Sequence, residues 1–341
     1  MSVLQLLGSA EDGGAETYFL ALVEALAQDG LAQACAIRAH ATRQARLEAL
    51  GAPTRVLPFG GPLDLVTRGA VARLAKDRGA KALIAWMNRA ATFSPRGPWG
   101  RIGRLGGYYG LKYYRGFDAL VANTRDIQAW IVRRGWPADQ VRYIPNFAEP
   151  GGEPAASRAD LDTPNNAPLF LSMGRLHDSK AHDVSLKALS SLPEAYLWIA
   201  GSGPLEGRLK ALAAQLGVAE RVRFLGWRPD ASALYRAADA CLFPSRFEPL
   251  GNVVIQAWAH GLPIVAAASQ GPSALIKDQV DGLLVAVDDE EALAAAARRL
   301  IVEPGLGERL AQAGAERVAG EFSKARVIVE WRALLERFGA A

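Results

Sequence analysis

Cysteine is nearly absent from this chain. Cys35 and Cys241 are the only two in 341 residues, each inside an apolar stretch and far apart in sequence. That count excludes a disulfide framework or a multi-cysteine metal site, and both are expected as reduced core thiols. Histidine is also scarce: His40, His177, His182 and His260 show no H-x-x-x-H spacing, so no built-in metal site is expected. Long hydrophobic runs are missing too. None reaches the roughly 18 residues of a membrane span, and the start MSVLQLLGSAEDGG has neither a basic leader nor a cleavage-site pattern, so a cytoplasmic location is expected. Nor does one sign of charge dominate, since 39 Lys+Arg against 35 Asp+Glu leave a formal net charge of +4.

What is present is a globular composition, 50% hydrophobic and 22% charged. The length suffices for two α/β domains, each with its own core. The chain opens with an apolar run, Val3 to Leu7, a Gly-rich turn GSAEDGG, and a helical period that puts Phe19, Leu22, Val23 and Leu26 on one face. Short apolar runs follow at 34–37, 55–57, 82–86 and 119–122, separated by helix-compatible segments. Between Pro145 and Pro168 the composition turns to Pro, Gly, Asn and Asp, and the spacing predicts an interdomain linker. Alternation then restarts, with strands expected at 169–173, 196–200, 222–225, 240–243, 264–266 and 283–285, and helices including 205–216 and 253–260. Three further helical segments, near 290–301, 306–319 and 323–338, complete the chain. The pattern predicts two doubly wound parallel sheets covered by helices.

In such sheets ligands bind beyond the carboxyl ends of the strands. Four loops at those positions carry informative residues. GRLHDSK (174–180) offers Arg175 and Lys180 to a diphosphate, the first as a planar fork and the second as a mobile point charge; two ordinary surface cations would also fit. GSGP, with Gly201 and Gly203, permits a close backbone approach, though strand-to-helix turns use glycine anyway. FPSRFEPLGNVVIQAWAHGLP (243–263) is the most informative stretch: Glu248 stands in a loop, and Gly251, Asn252 and Val253 open an apolar helix whose first N–H groups suit a phosphate. Gln256, one turn in, reaches the same place, while Trp258 and Ala259 are expected to pack. The fourth loop carries Gly13 and Gly14 ahead of the first helix; it lacks G-x-G-x-x-G spacing, which argues against a dinucleotide.

One region of the first half is unusual. Arg96, Arg101, Arg104, Lys112 and Arg115 interleave with Trp99, Tyr108, Tyr109, Tyr113 and Tyr114. A solvated loop and helix face explains this as readily as contact with an anionic membrane or acceptor. No nucleic-acid motif accompanies it.

Taken together, GGAETYFLALVEALA, GRLHDSK, IAGSGPLEGRL, VRFLGWRPD, CLFPSRFEPLGNVVIQAWAHGLPIVAAA and DGLLVAVDD resemble the family 4 retaining glycosyltransferases. The resemblance implies a GT-B architecture of two facing Rossmann-like domains with a deep interdomain cleft. On it the acceptor side occupies 1–150, the nucleotide-sugar side 151–322, and the segment 323–341 is a helix crossing back to the first domain. It implies a hexosyltransferase-type enzyme that uses a nucleoside-diphosphate sugar as substrate, a glycan or glycolipid acceptor, and no metal or other cofactor. Contact with the inner face of the anionic cytoplasmic membrane belongs to the same expectation, and nucleic acid does not.

Residue by residue, the resemblance gives Glu248 to the donor sugar, Arg175 and Lys180 to the diphosphate, and Gly13, Gly14, Gly174, Gly203, Trp227, Arg228, Gly251, Asn252 and Val253 to the donor and its nucleotide. The family's motif places a second Glu after seven intervening residues, where this chain has Gln256. An amide there lacks the charge assistance of a carboxylate toward ribose hydroxyls. The family's His in the middle of the first domain has no counterpart: WMNRA supplies Asn88 and Arg89, which with Arg101 and Arg104 are taken for the acceptor side. The stretch 95–124 looks like the acceptor region of enzymes that build lipopolysaccharide core. Rival functions are a sugar-nucleotide epimerase or hydrolase on the same scaffold, and a non-catalytic sugar-nucleotide or glycan binder.

Overall fold

A computed structural model describes residues 2–61 and 63–340. The chain divides into two compact units, Met1–Asn146 with Lys324–Ala341, and Phe147–Ser323.

The first unit holds β1 (Ser2–Leu7), α1 (Gly14–Gln28), β2 (Gln33–Ile37), α2 (Ala41–Ala49), β3 (Thr54–Val56), α3 (Thr67–Asp77), β4 (Ala80–Trp86), α4 (Met87–Phe93), β5 (Gly100–Leu105), β6 (Ala119–Ala122), α5 (Arg125–Arg133) and β7 (Val141–Tyr143). Its strands form one parallel sheet in the order β3-β2-β1-β4-β5-β6-β7. The second holds β8 (Leu169–Met173), α6 (His182–Ser190), β9 (Tyr196–Ala200), α7 (Glu206–Gln215), β10 (Val222–Gly226), α8 (Ala231–Ala237), β11 (Ala240–Phe243), α9 (Asn252–Ala259), β12 (Ile264–Ala267), α10 (Gln270–Leu275), β13 (Leu283–Val285), α11 (Glu290–Val302) and α12 (Leu306–Gly320). Its parallel order is β10-β9-β8-β11-β12-β13. A last helix, α13 (Lys324–Glu336), belongs to the first unit, where Lys324 Nζ donates to Gln28 Oε1 at 2.8 Å and Arg332 binds Asp29 at 2.5 Å beside α1.

Helices cover both faces of a parallel sheet, so its strands read as continuous apolar runs. LFLSM, ACLF and IVAA are buried almost throughout, and the predicted face of α1 (Phe19, Leu22, Val23, Leu26) is fully buried. A polar exception proves satisfied: buried Gln5 donates to Gln33 Oε1 at 2.7 Å and accepts from Trp86 Nε1 at 2.8 Å, linking three adjacent strands.

Two expectations are corrected. The segment 100–105, read as part of an exposed basic stretch, is the inner strand β5 between β4 and β6. Its arginines broke the apolar run yet are themselves buried: Arg104 is 2% exposed, its guanidinium 5.2 Å from the Tyr18 ring and 5.1 Å from Trp86, and it donates to Asn146 Oδ1. Arg104 is therefore no solvent-facing cation for an acceptor. The segment 147–168, read as linker, is packed into the second unit. Arg158 donates twice to Ala237 O, at 2.9 and 2.6 Å, and pairs with Asp239, while Thr163 Oγ1 accepts from buried Trp198 at 2.9 Å.

Candidate active site

The second sheet reverses direction of strand addition between β8 and β11. A crevice opens at such a switch point, framed by the loops that leave the two strands. Those loops are the segments carrying Arg175 and Lys180 on one side and Glu248 on the other. They meet: Lys180 Nζ donates to Glu248 Oε2, with side chains only 24% and 14% exposed, and the ammonium lies 5.8 Å from the centre of the Phe243 ring. Arg175 stands exposed one residue past the Gly174 turn. An anionic ligand entering here finds a cation already held in place, and a carboxylate beside it able to accept from hydroxyls.

Several residues outside the sequence reading build this geometry. Arg246 fastens the β11 loop to the turn bearing Lys180: it donates to Asp183 at 2.9 and 2.6 Å, to Asp288 at 2.5 Å and to Asp178 O at 2.9 Å, while its backbone N–H binds Ser179 O at 2.9 Å. Burial works to raise the Asp183 carboxyl, and the Arg246 guanidinium outweighs it and holds the group below its ordinary value. His182 sits under the β8 loop, 2% exposed, with Nδ1 3.0 Å from Ser172 Oγ and Nε2 3.2 Å from Gly174 O. A carbonyl only accepts, so Nε2 carries a proton. Burial is the main cause that pushes its pKa down to about 4; the Gly174 bond opposes this, and the Lys180 charge adds to it. His182, Asp183 and Arg246 carried no sequence signal, because their partners come from other segments.

Glycine is required where the loops cross. Gly201 has φ 149°, and a Cβ there would stand 1.9 Å from Gly174 O. A Cβ on Gly203 would stand 2.4 Å from Leu176 O, so the loops after β8 and β9 pass back to back, joined by Leu176 N–H to Ser202 O at 2.9 Å. Gly251, left-handed at φ 91°, turns the chain into α9, which starts at Asn252 and Val253. Gln256 accepts through its amide oxygen from the Tyr235 hydroxyl at 3.1 Å. Trp227 is 57% exposed just after β10, and Arg228 is tied to Asp230 at 2.7 and 2.5 Å. Trp258 packs as expected, fully buried and donating to Asp281 O at 2.7 Å.

The remaining predicted residues lie in the first unit, where the strand order reverses between β1 and β4. Gly13 and Gly14 end the loop after β1, a loop held by buried Arg43 through Ser9 O at 2.8 Å and Glu11 O at 2.6 Å. Asn88 and Arg89 follow β4; Asn88 Oδ1 is buried without a hydrogen-bond partner, and the Arg89 side chain lies where a Cβ on Gly8 would fall, 2.8 Å away. Arg101 is 8% exposed, with its guanidinium 4.8 Å from the Phe117 ring. Among the described residues no group of three or more His, Cys, Asp or Glu is arranged to hold a metal, and no helix is long and apolar enough to cross a membrane.

Comparison with known proteins agrees with this layout. The profile of the family "Glycosyl transferases group 1" matches residues 155–317. The lipopolysaccharide core biosynthesis glycosyltransferase LpsE of Rhizobium meliloti is 35% identical over 339 residues, covering 95% of this chain and 96% of LpsE. LpsD of the same organism is 34% identical, with 96% of each chain covered. The crystal structure of Anabaena HepE in complex with UDP superposes with a TM-score of 0.86 at 20% identity, covering 99% of this chain and 100% of HepE. WaaG, described as a glycosyltransferase involved in lipopolysaccharide biosynthesis, gives 0.72 at 18%, covering 96% and 98%. The two structures share the fold, two Rossmann-like parallel-sheet domains of the GT-B kind. With a full-length relative of this similarity and the matching family profile, the chain belongs to the group 1 glycosyl transferases and is a glycosyltransferase.

Proposed function

We propose that the chain is a family 4 retaining transferase that moves a sugar from a nucleoside-diphosphate sugar to a hydroxyl of a glycan or glycolipid, in lipopolysaccharide core synthesis, without a metal. The observation that carries this reading is the meeting of Lys180 and Glu248 across the switch point of the second sheet. The names of LpsE and LpsD support the pathway, and HepE structures with UDP and UDP-glucose make a UDP-sugar the first donor to test. Peripheral contact with an anionic membrane, where a glycolipid acceptor would reside, belongs to the same proposal.

In the reaction the bond from the anomeric carbon to the diphosphate breaks and a bond from that carbon to the acceptor oxygen forms on the same face. The acceptor's proton goes to the departing phosphate oxygen. Charge grows on the diphosphate, so catalysis lies in cations and N–H groups fixed in advance: Lys180, Arg175 and the start of α9 at Asn252 and Val253. Glu248 pairs with and shields the Lys180 charge. When donor binds, Lys180 exchanges that carboxylate for diphosphate oxygens and Glu248 turns to the sugar hydroxyls. Gln256 offers N–H donors to the ribose.

The test is release of UDP from UDP-glucose with and without a lipopolysaccharide core acceptor, together with NMR of the anomeric configuration in the product. Acceptor-dependent turnover with retention and insensitivity to chelator is expected. Equal turnover without acceptor replaces the transferase reading by hydrolysis. Lys180→Ala is expected to lower turnover by roughly two to three orders of magnitude, and an unchanged rate removes Lys180 from the leaving-group role.

A further inference from the structure

Five cations gather around one cavity of the first unit. Arg68 of α3, Arg96 after α4, Arg101 of β5, and Lys112 and Arg115 beyond β5 line a cavity of about 430 Å³ together with Ser94. That volume is within the range of roughly 300–1,000 Å³ usual for small-molecule sites. Among the described residues none of the five forms an ion pair. Arg68 donates to Thr92 O at 2.7 Å and Arg101 to Gly116 O, so both are aimed by backbone carbonyls rather than neutralised. Asp118, the acid whose charge favours Arg101, is engaged by the Arg101 backbone N–H at 2.8 Å.

The crowding is built in. A Cβ on Gly116, at φ 74°, would stand 3.0 Å from an Arg101 guanidinium nitrogen and 3.4 Å from one of Arg96, so two like charges are held side by side around a residue with no side chain. Arg101 is 8% exposed, and burial, with the Arg96 and Arg68 charges adding to it, works against its proton. Ser94 is among the lining residues, 3% exposed, and its Oγ is buried without a hydrogen-bond partner. A solvated basic face keeps its cations apart and in water. Here strand β5 carries Arg101 inside, while Arg68, Arg96, Lys112 and Arg115 stay exposed around it. Like charges brought together and partly desolvated are unfavourable until an anion joins them.

We propose that this cavity binds a phosphate group. A tetrahedral, multiply charged oxyanion accepts from several guanidinium forks and an ammonium at once, which a lone carboxylate cannot do. Recognition of phosphate follows from the cavity and stands apart from the transferase reading.

The experiment titrates the full chain with glucose 6-phosphate and with glucose, following the protein by NMR in the presence of saturating UDP, which occupies any phosphate site in the second unit. Binding of the phosphosugar without binding of glucose, weakening steeply with salt, is expected. The double variant Arg96→Gln, Arg115→Gln changes two exposed side chains and should weaken glucose 6-phosphate at least about tenfold while UDP affinity stays the same. Equal affinity in the variant, or equal binding of glucose, overturns the proposal. Vesicles of phosphatidylglycerol in phosphatidylcholine distinguish the source: binding that glucose 6-phosphate displaces places a lipid phosphate in this cavity, whereas vesicle binding with no effect of glucose 6-phosphate refutes the cavity as the site. Phosphosugar binding without UDP-glucose turnover would fault the transferase reading alone, and turnover without phosphosugar binding would fault this inference alone.

Discussion

Lowering the pH should loosen the second unit through one imidazole. His182 is neutral and buried beneath the loop that carries Arg175 and Lys180, with a pKa near 4 in the folded chain against an ordinary 6.5. Above pH 6.5 neither the folded nor the unfolded chain protonates it, and its contribution to stability is fully present. As pH falls from 6.5 towards 4 the unfolded chain takes up the proton and the folded one does not, so stability is lost across that window. At about 1.4 kcal/mol per tenfold difference in proton affinity, the separation costs about 3 kcal/mol below pH 4 and about 2 kcal/mol at pH 5. The assay is urea unfolding at pH 7.5 and pH 5, read by tryptophan fluorescence, to which Trp198 and Trp258, both fully buried in this unit, contribute. His260 is also held below its ordinary value, chiefly by burial, and titrates in the same direction. The informative quantity is therefore the difference between the native chain and His182→Gln, which keeps a donor for Gly174 O and has no proton to gain. The variant should lose about 2 kcal/mol less between the two pH values. The same pH dependence in both proteins would refute the assignment.

Three further outcomes are expected. Gly271→Ala would put a methyl 2.2 Å from Leu250 O and 2.7 Å from Glu248 O, displacing the loop that holds Glu248; turnover should fall at least about tenfold with a stability loss of about 1–3 kcal/mol, and kinetics with thermal unfolding check both. Gln256→Glu supplies a charged acceptor for ribose hydroxyls, still within reach of the Tyr235 hydroxyl; calorimetry should find UDP binding about five- to tenfold tighter, and unaltered affinity would remove Gln256 from the ribose site. Gly314→Ala on α12 would bring a methyl 2.1 Å from Trp258 Cδ1 of α9; a loss of about 1–3 kcal/mol is expected in urea unfolding, and none would mean that the two helices part without cost.

The strands β8, β9, β11 and β13 are bounded as their apolar runs predict, because a parallel strand buried on both faces is written locally as an unbroken run. The same rule failed at β5, where Arg101 and Arg104 interrupt the run. Their burial is balanced by Gly116, Phe117, Tyr18, Trp86 and Asn146, and no window of sequence contains all of these. β7, at Val141–Tyr143, is too short to carry a period at all.

The candidate site divides in the same way. Sequence by itself determined which loops follow strands and which of them carry Arg175, Lys180 and Glu248, since these depend on neighbours along the chain. Tertiary structure alone decided that Lys180 and Glu248, 68 residues apart, touch. It also decided that Arg246 and His182 hold their loops in place, that Tyr235 fixes the direction of the Gln256 amide, and that five cations close around one cavity. The reason is physical: periodicity records what each segment buries, whereas the order of strands in a sheet sets which loops become neighbours, and that order is fixed only when distant segments pack.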